Sequence, residues 1–166
     1  MGGKFAGEMG GVEGMSVFAL FAWFVTVFAG LYLLAIWLIE YDIGGPGGAV
    51  SRLPRTVVSG HVLLAASGLG AWVGYLIADR DMLAWIALVA LVAVALLGFT
   101  MLGRWIMVRR AISAALRARP KEAFASGRAP MPAESHFPIP VVVAHGLLAV
   151  STLTLVLLTV LGMSGT

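Results

Sequence analysis

From Met15 to Ile39 the chain carries no charge. A helix over that run, rising about 1.5 Å per residue, crosses a hydrocarbon core of roughly 30 Å with length to spare. Lipid offers backbone groups no water, so a segment there must satisfy its own hydrogen bonds as a helix or join a closed barrel. Three further apolar runs of similar length follow, over 54–78, 82–103 and 138–161. The chain is 60% hydrophobic and only 11% charged, with mean hydropathy +0.99, the composition of a membrane protein. The expectation is an all-α fold: a four-transmembrane-helix bundle, with residues 1–166 forming one integral membrane domain.

The segments between the runs read as connections. Residues 1–14 are glycine-rich with Lys4, Glu8 and Glu13, and suggest a weakly ordered tail. A signal peptide is not expected, because the first apolar run is too long and lacks a charged flank and a small-residue cleavage site. Trp37 and Tyr41 stand where aromatic anchors lie at a membrane interface. The sequence GGPGG after Asp42 breaks the first helix. Asp79, Arg80 and Asp81 leave room only for a tight turn, making helices two and three antiparallel neighbours. Past Trp105 the sequence keeps helical spacing but turns basic, as a helical extension or a surface helix would. Residues 126–136 read as loop.

Four spans place both termini on one side and both long loops on the other. The loop side carries Arg52, Arg55, Arg104, Arg109, Arg110, Arg117, Arg119, Lys121 and Arg128, against Lys4 and Arg80 opposite. Cytoplasmic loops are rich in Lys and Arg, so both termini are expected outside, with the basic segment over about 104–137 in the cytoplasm of a bacterial inner-membrane protein. The net charge of +3 is then a topology signal, and nucleic acid is not an expected partner. Anionic lipid or a docking partner could also use it. With no cysteine in the chain, disulfides, thiolate metal sites, Fe–S clusters and thioether-attached haem are excluded.

One stretch is written twice. Residues 53–69 read LPRTVVSGHVLLAASGL and residues 137–153 read FPIPVVVAHGLLAVSTL, identical at nine of seventeen positions. Apolar matches mean little in so apolar a chain, but the shared His61 and His145 mean more. Each lies seven residues past a proline, Pro54 or Pro138, suited to a first helical turn. Each is therefore roughly 10 Å into its helix, on the loop side of the midplane. Both helices enter from the same side, so the simplest architecture is two helical hairpins related by a pseudo-two-fold axis along the membrane normal. Helices one and three share little in this reading beyond Ala22-Trp23 and Ala84-Trp85.

Ionisable residues at membrane depth are candidates for function. Two imidazoles converging at one depth could ligate a haem b iron, which needs no cysteine. One face of helix two carries Val58, His61, Ala65 and Gly68, and one face of helix four Val142, His145, Ala149 and Thr152. Their small residues, with Gly60, Ala144 and Gly146 adjacent, would leave room for a macrocycle. Arg52, Arg55 and His136 would receive the propionates. The competing reading makes the histidines interhelical hydrogen-bonding groups with no ligand. Two histidines alone are an incomplete zinc or copper site, and a proton pump would usually carry carboxylates at membrane depth, whereas every Asp and Glu falls at an end or in a loop. Ser67 and Ser151 recur too, but are expected to bond their own helix backbone. No motif for hydrolysis appears.

With the Pro54-to-His61 and Pro138-to-His145 spacing, the layout resembles the small four-helix b-type cytochromes, including haem-bearing membrane anchors of respiratory dehydrogenases. That resemblance implies electron transfer with a quinone or a partner subunit of a redox complex, with His61 and His145 as axial ligands. The chain departs from di-haem cytochromes in offering one histidine pair. The alternative is a cofactor-free structural or accessory membrane subunit.

Overall fold

Pro54 shows how the local sequence sets the helices. It holds an extended backbone (φ −63°, ψ 129°) immediately before helix α2, and its carbonyl accepts from the amides of Val57 and Val58 at 3.0 and 3.1 Å. Pro138 does the same for helix α4, accepting from Val141 and Val142. In a computed structural model that describes residues 2–40, 51, 53–118 and 133–163, the chain forms α1 (Gly2–Glu40), α2 (Arg55–Ala78), α3 (Asp81–Ala118) and α4 (Ile139–Met163). A short 3-10 helix, Ala133–His136, precedes α4.

All four helices are long and apolar enough to cross a membrane, and the protein is a multi-pass integral membrane protein. Large apolar side chains such as Phe18, Phe21, Phe28, Ile77 and Leu147 face outward. That would be untenable in water over so large a surface but is the natural coat of a bundle in lipid. Asp79 ends α2 in the left-handed conformation (φ 50°, ψ 47°), its amide bonded to the Tyr75 carbonyl. Asp and Asn tolerate this region better than other non-glycine residues, and α3 begins two residues later.

Among the described residues, α2 packs most extensively on α3 and α1 on α4, with smaller contacts of α3 with α4 and of α1 with α2. Helices α2 and α4 therefore stand diagonally across the bundle, as do α1 and α3. Two separate core clusters result. The one toward the Asp79 turn contains Trp23, Trp72, Tyr75, Leu88, Leu91, Val156 and Val160. The one at the loop end gathers Trp37, Leu53, Val58 and Ala133, with Leu34, Met101 and Phe137 against it.

Two expectations change, and a third, left between two alternatives, is decided. The glycine-rich start is helical from Gly2 onward, as the first part of α1; once a stable span has nucleated, adding residues needs no new nucleus. The basic segment continues α3 as one 38-residue helix, roughly 57 Å long, reaching well past a bilayer core. The loop reading of 126–136 fails at its end, where the 3-10 helix buries Ala133 and Glu134 completely.

Candidate functional site

His61 projects from α2 and His145 from α4, and both are half-buried. Their ring centroids lie 6.4 Å apart, with the planes inclined at 57°. Each imidazole reaches a neighbouring helix. His61 Nδ1 lies 3.1 Å from the Val94 carbonyl of α3, and His145 Nδ1 lies 3.0 Å from the Thr26 carbonyl of α1. A carbonyl only accepts, so Nδ1 must carry the proton in both rings. Each Nε2 is then left with its lone pair, and neither has a partner among the described residues. A hydrogen bond from the other ring nitrogen to a carbonyl fixes the tautomer and aim of a histidine that ligates a metal.

The reach is possible because of two glycines. In a helix, the Thr26 carbonyl is addressed by the amide of Gly30, and the Val94 carbonyl by that of Gly98. A Cβ at Gly30 would come within 3.0 Å of His145 Cε1, and one at Gly98 within 3.4 Å of His61 Cε1. Without a Cβ at either place, the imidazole can lie against the helix and share its carbonyl, which has two lone pairs.

These contacts also reveal a register the sequence analysis missed. Thr26 corresponds to Val94, Gly30 to Gly98 and Trp37 to Trp105, with Ala19, Ala22, Leu20 and Leu34 matched to Ala87, Ala90, Leu88 and Leu102. The Ala22-Trp23 and Ala84-Trp85 match is out of step with this register. The correspondence between the two halves therefore extends to all four helices. Each half's histidine is held by the other half: His61 by α3 and His145 by α1.

Several of the small residues expected to make room lie against neighbouring side chains or face outward. Gly68 abuts Ala90 and Trp23, at 3.1 and 3.2 Å from the position of an added Cβ. Thr152 contacts Thr26, hydroxyl to hydroxyl, at 3.1 Å. Ala144 and Gly146 face outward, and Gly60 faces Leu97. Helices in contact without a hydrophobic driving force need such residues for packing. Ser67 and Ser151 do bond their own helices, donating to Leu63 and Leu147 at 2.9 and 3.0 Å.

Of the basic residues expected beside the site, Arg52 lies outside the described residues. Arg55 is exposed at the start of α2. His136 pairs with Glu40, Nδ1 to carboxylate oxygen at 3.5 Å. The loop end instead holds a polar chain that sequence reasoning missed. Trp37 Nε1 donates to Ser51 Oγ at 2.9 Å, and Ser51 Oγ donates to the fully buried Glu134 carboxylate at 3.1 Å. The signal for it was present in the sequence, because the repeat extends upstream to match Ser51 with Ser135. Among the described residues, no group of three or more His, Cys, Asp or Glu side chains could hold a metal ion. No protein-family model, curated protein or solved structure matches the chain.

Proposed function

We propose that the protein is a b-type haem protein of the bacterial cell membrane, with His61 and His145 as the axial ligands of one haem. The observation that carries this reading is the histidine pair, both rings fixed in the tautomer that leaves Nε2 bare, with centres 6.4 Å apart. A bare metal ion would want more ligands than two imidazoles provide. A tetrapyrrole brings its own equatorial nitrogens and asks the protein for two axial ones. A ring-centre separation of 6.4 Å would let His61 and His145 hold one metal-bearing group between them. The haem iron, when bound, takes up and releases one electron at a time.

The chain's own residues orient the ligands and shield them. Val94 and Thr26 hold the rings through their carbonyls. The Trp23–Trp72 cluster closes the side toward the Asp79 turn. On the positive-inside rule the loop end faces the cytoplasm, which places the histidine layer nearer that face. One haem there calls for a quinone or a partner subunit to complete electron transfer.

A second reading makes the protein a cofactor-free accessory subunit of a membrane complex. What favours it is that the two imidazole–carbonyl bonds already brace α2 to α3 and α4 to α1. A reduced-minus-oxidised absorption spectrum of protein purified after expression with ample haem separates the two. The haem reading expects Soret and α-band changes of a low-spin bis-imidazole centre; their absence sinks it.

A further inference from the structure

The correspondence between the two halves breaks down at the loop end. In one half, Trp37 Nε1 donates to Ser51 Oγ at 2.9 Å, and that hydroxyl donates to Glu134. The match of α1 to α3 carries Trp37 to Trp105, and the match of α2 to α4, extended upstream, carries Ser51 to Ser135. In this second half, Trp105 Nε1 and Ser135 Oγ are both buried without a hydrogen-bond partner among the described residues. Trp105 is only 8% exposed. Native proteins rarely leave buried donors unmet, and each such atom calls for a partner, a bound group among the candidates.

The register also shows what is missing. Glu134 supplies a carboxylate to the first tryptophan–serine couple, whereas the matching sequence position in the other half is Val50. The second couple therefore has the two donors but no acidic residue at the equivalent position. The Arg109 guanidinium lies over the Trp105 ring, 5.2 Å from its centroid, which favours a negative charge nearby. Trp105 is seven residues beyond Gly98, the residue against His61, and so roughly 10 Å from the histidine layer toward the loop end.

We propose that the indole N–H of Trp105 and the hydroxyl of Ser135 bind a carboxylate of the haem, one of its propionates, at the loop end of the bundle. This assignment rests on the haem reading. It makes Trp105 and Ser135, rather than arginines alone, the binding partners of that group.

The test uses haem-loaded full-length protein carrying ¹³C-labelled propionate carboxylates, compared by reduced-minus-oxidised infrared spectroscopy. In both Trp105→Phe and Ser135→Ala, the labelled carboxylate stretching band is expected to shift from its wild-type position. Trp37→Phe, altering the couple already served by Glu134, is expected to leave that band in place. Unmoved bands in both site variants, as a bridging water would give, overturn the proposal. So does an equal shift in Trp37→Phe, which would indicate general loosening of the loop end. An absorption spectrum of each sample keeps the failures apart. Wild-type protein without haem bands removes the haem reading and this one with it, whereas haem bands with unmoved propionates remove only this one.

Discussion

Two layers of the same bundle interior are built on opposite plans. Toward the Asp79 turn, Trp72 is fully buried with its ring 6.5 Å from Trp23 and 5.1 Å from Tyr75, and its N–H donates to the Ser16 carbonyl. That layer is filled with large side chains. The layer above it sets two half-buried imidazoles against glycines and leaves a bare nitrogen on each ring. In the one layer large side chains hold the helices together, and in the other Gly30 and Gly98 let an imidazole lie against the neighbouring helix. Real proteins depart from close-packed consistency chiefly where they function, and here such departures lie at the histidine layer and at the loop end, not in the tryptophan layer.

The comparison breaks first if the layers do not separate experimentally. Replacing His61 or His145 with Ala should abolish the low-spin haem spectrum while leaving the helical circular dichroism in place. Trp72→Ala should do the reverse, removing about 3–5 kcal/mol of stability, read as a fall in Tm in detergent, with the spectrum of the surviving folded protein unchanged. A wild-type spectrum in either histidine variant would refute the ligand assignment.

Gly30→Ala is the sharper probe, because it leaves both ligands present. Its Cβ would press on His145 at 3.0 Å and lift the ring from the Thr26 carbonyl. Loss of such an outer-shell partner should weaken haem affinity roughly 10–100-fold, measured by haem titration. Gly98→Ala, with 3.4 Å available, should have a smaller effect. Equal effects would mean that the glycines do not act through the imidazoles.

Smaller still is Thr26→Val. It removes the hydroxyl contact with Thr152 but keeps the backbone carbonyl that His145 uses, so it should cost about 0.6 kcal/mol with no change in the spectrum. Ser67→Ala and Ser151→Ala, at exposed hydroxyls bonded within their own helices, should change stability by no more than about 0.5 kcal/mol.

Much of this was legible in the sequence, and the rest was hidden for a physical reason. Charge-free length marked the spans, and an ionisable residue repeated inside them marked His61 and His145. The inward faces of α1 and α3 were not marked. A helix in lipid is apolar on every side, so no polar stripe shows which residues point inward. Gly30 and Gly98 looked like any other glycine in an apolar run until the imidazoles were seen lying against them. Glu134 was misread for the converse reason. In sequence a charge beside Pro132 and Ser135 signals solvent, and only the 3-10 helix tucking into the bundle mouth makes it interior.

The crossed attachment of the two histidines bears on how the molecule is made. Thr26 belongs to α1 and His145 to α4, so a growing chain that has inserted three spans holds a carbonyl whose imidazole is still to be synthesised. Neither hairpin alone contains an imidazole together with the carbonyl that it bonds. The order of synthesis thereby delays the pairing of His145 with the Thr26 carbonyl until α4 has entered the membrane and closed against α1.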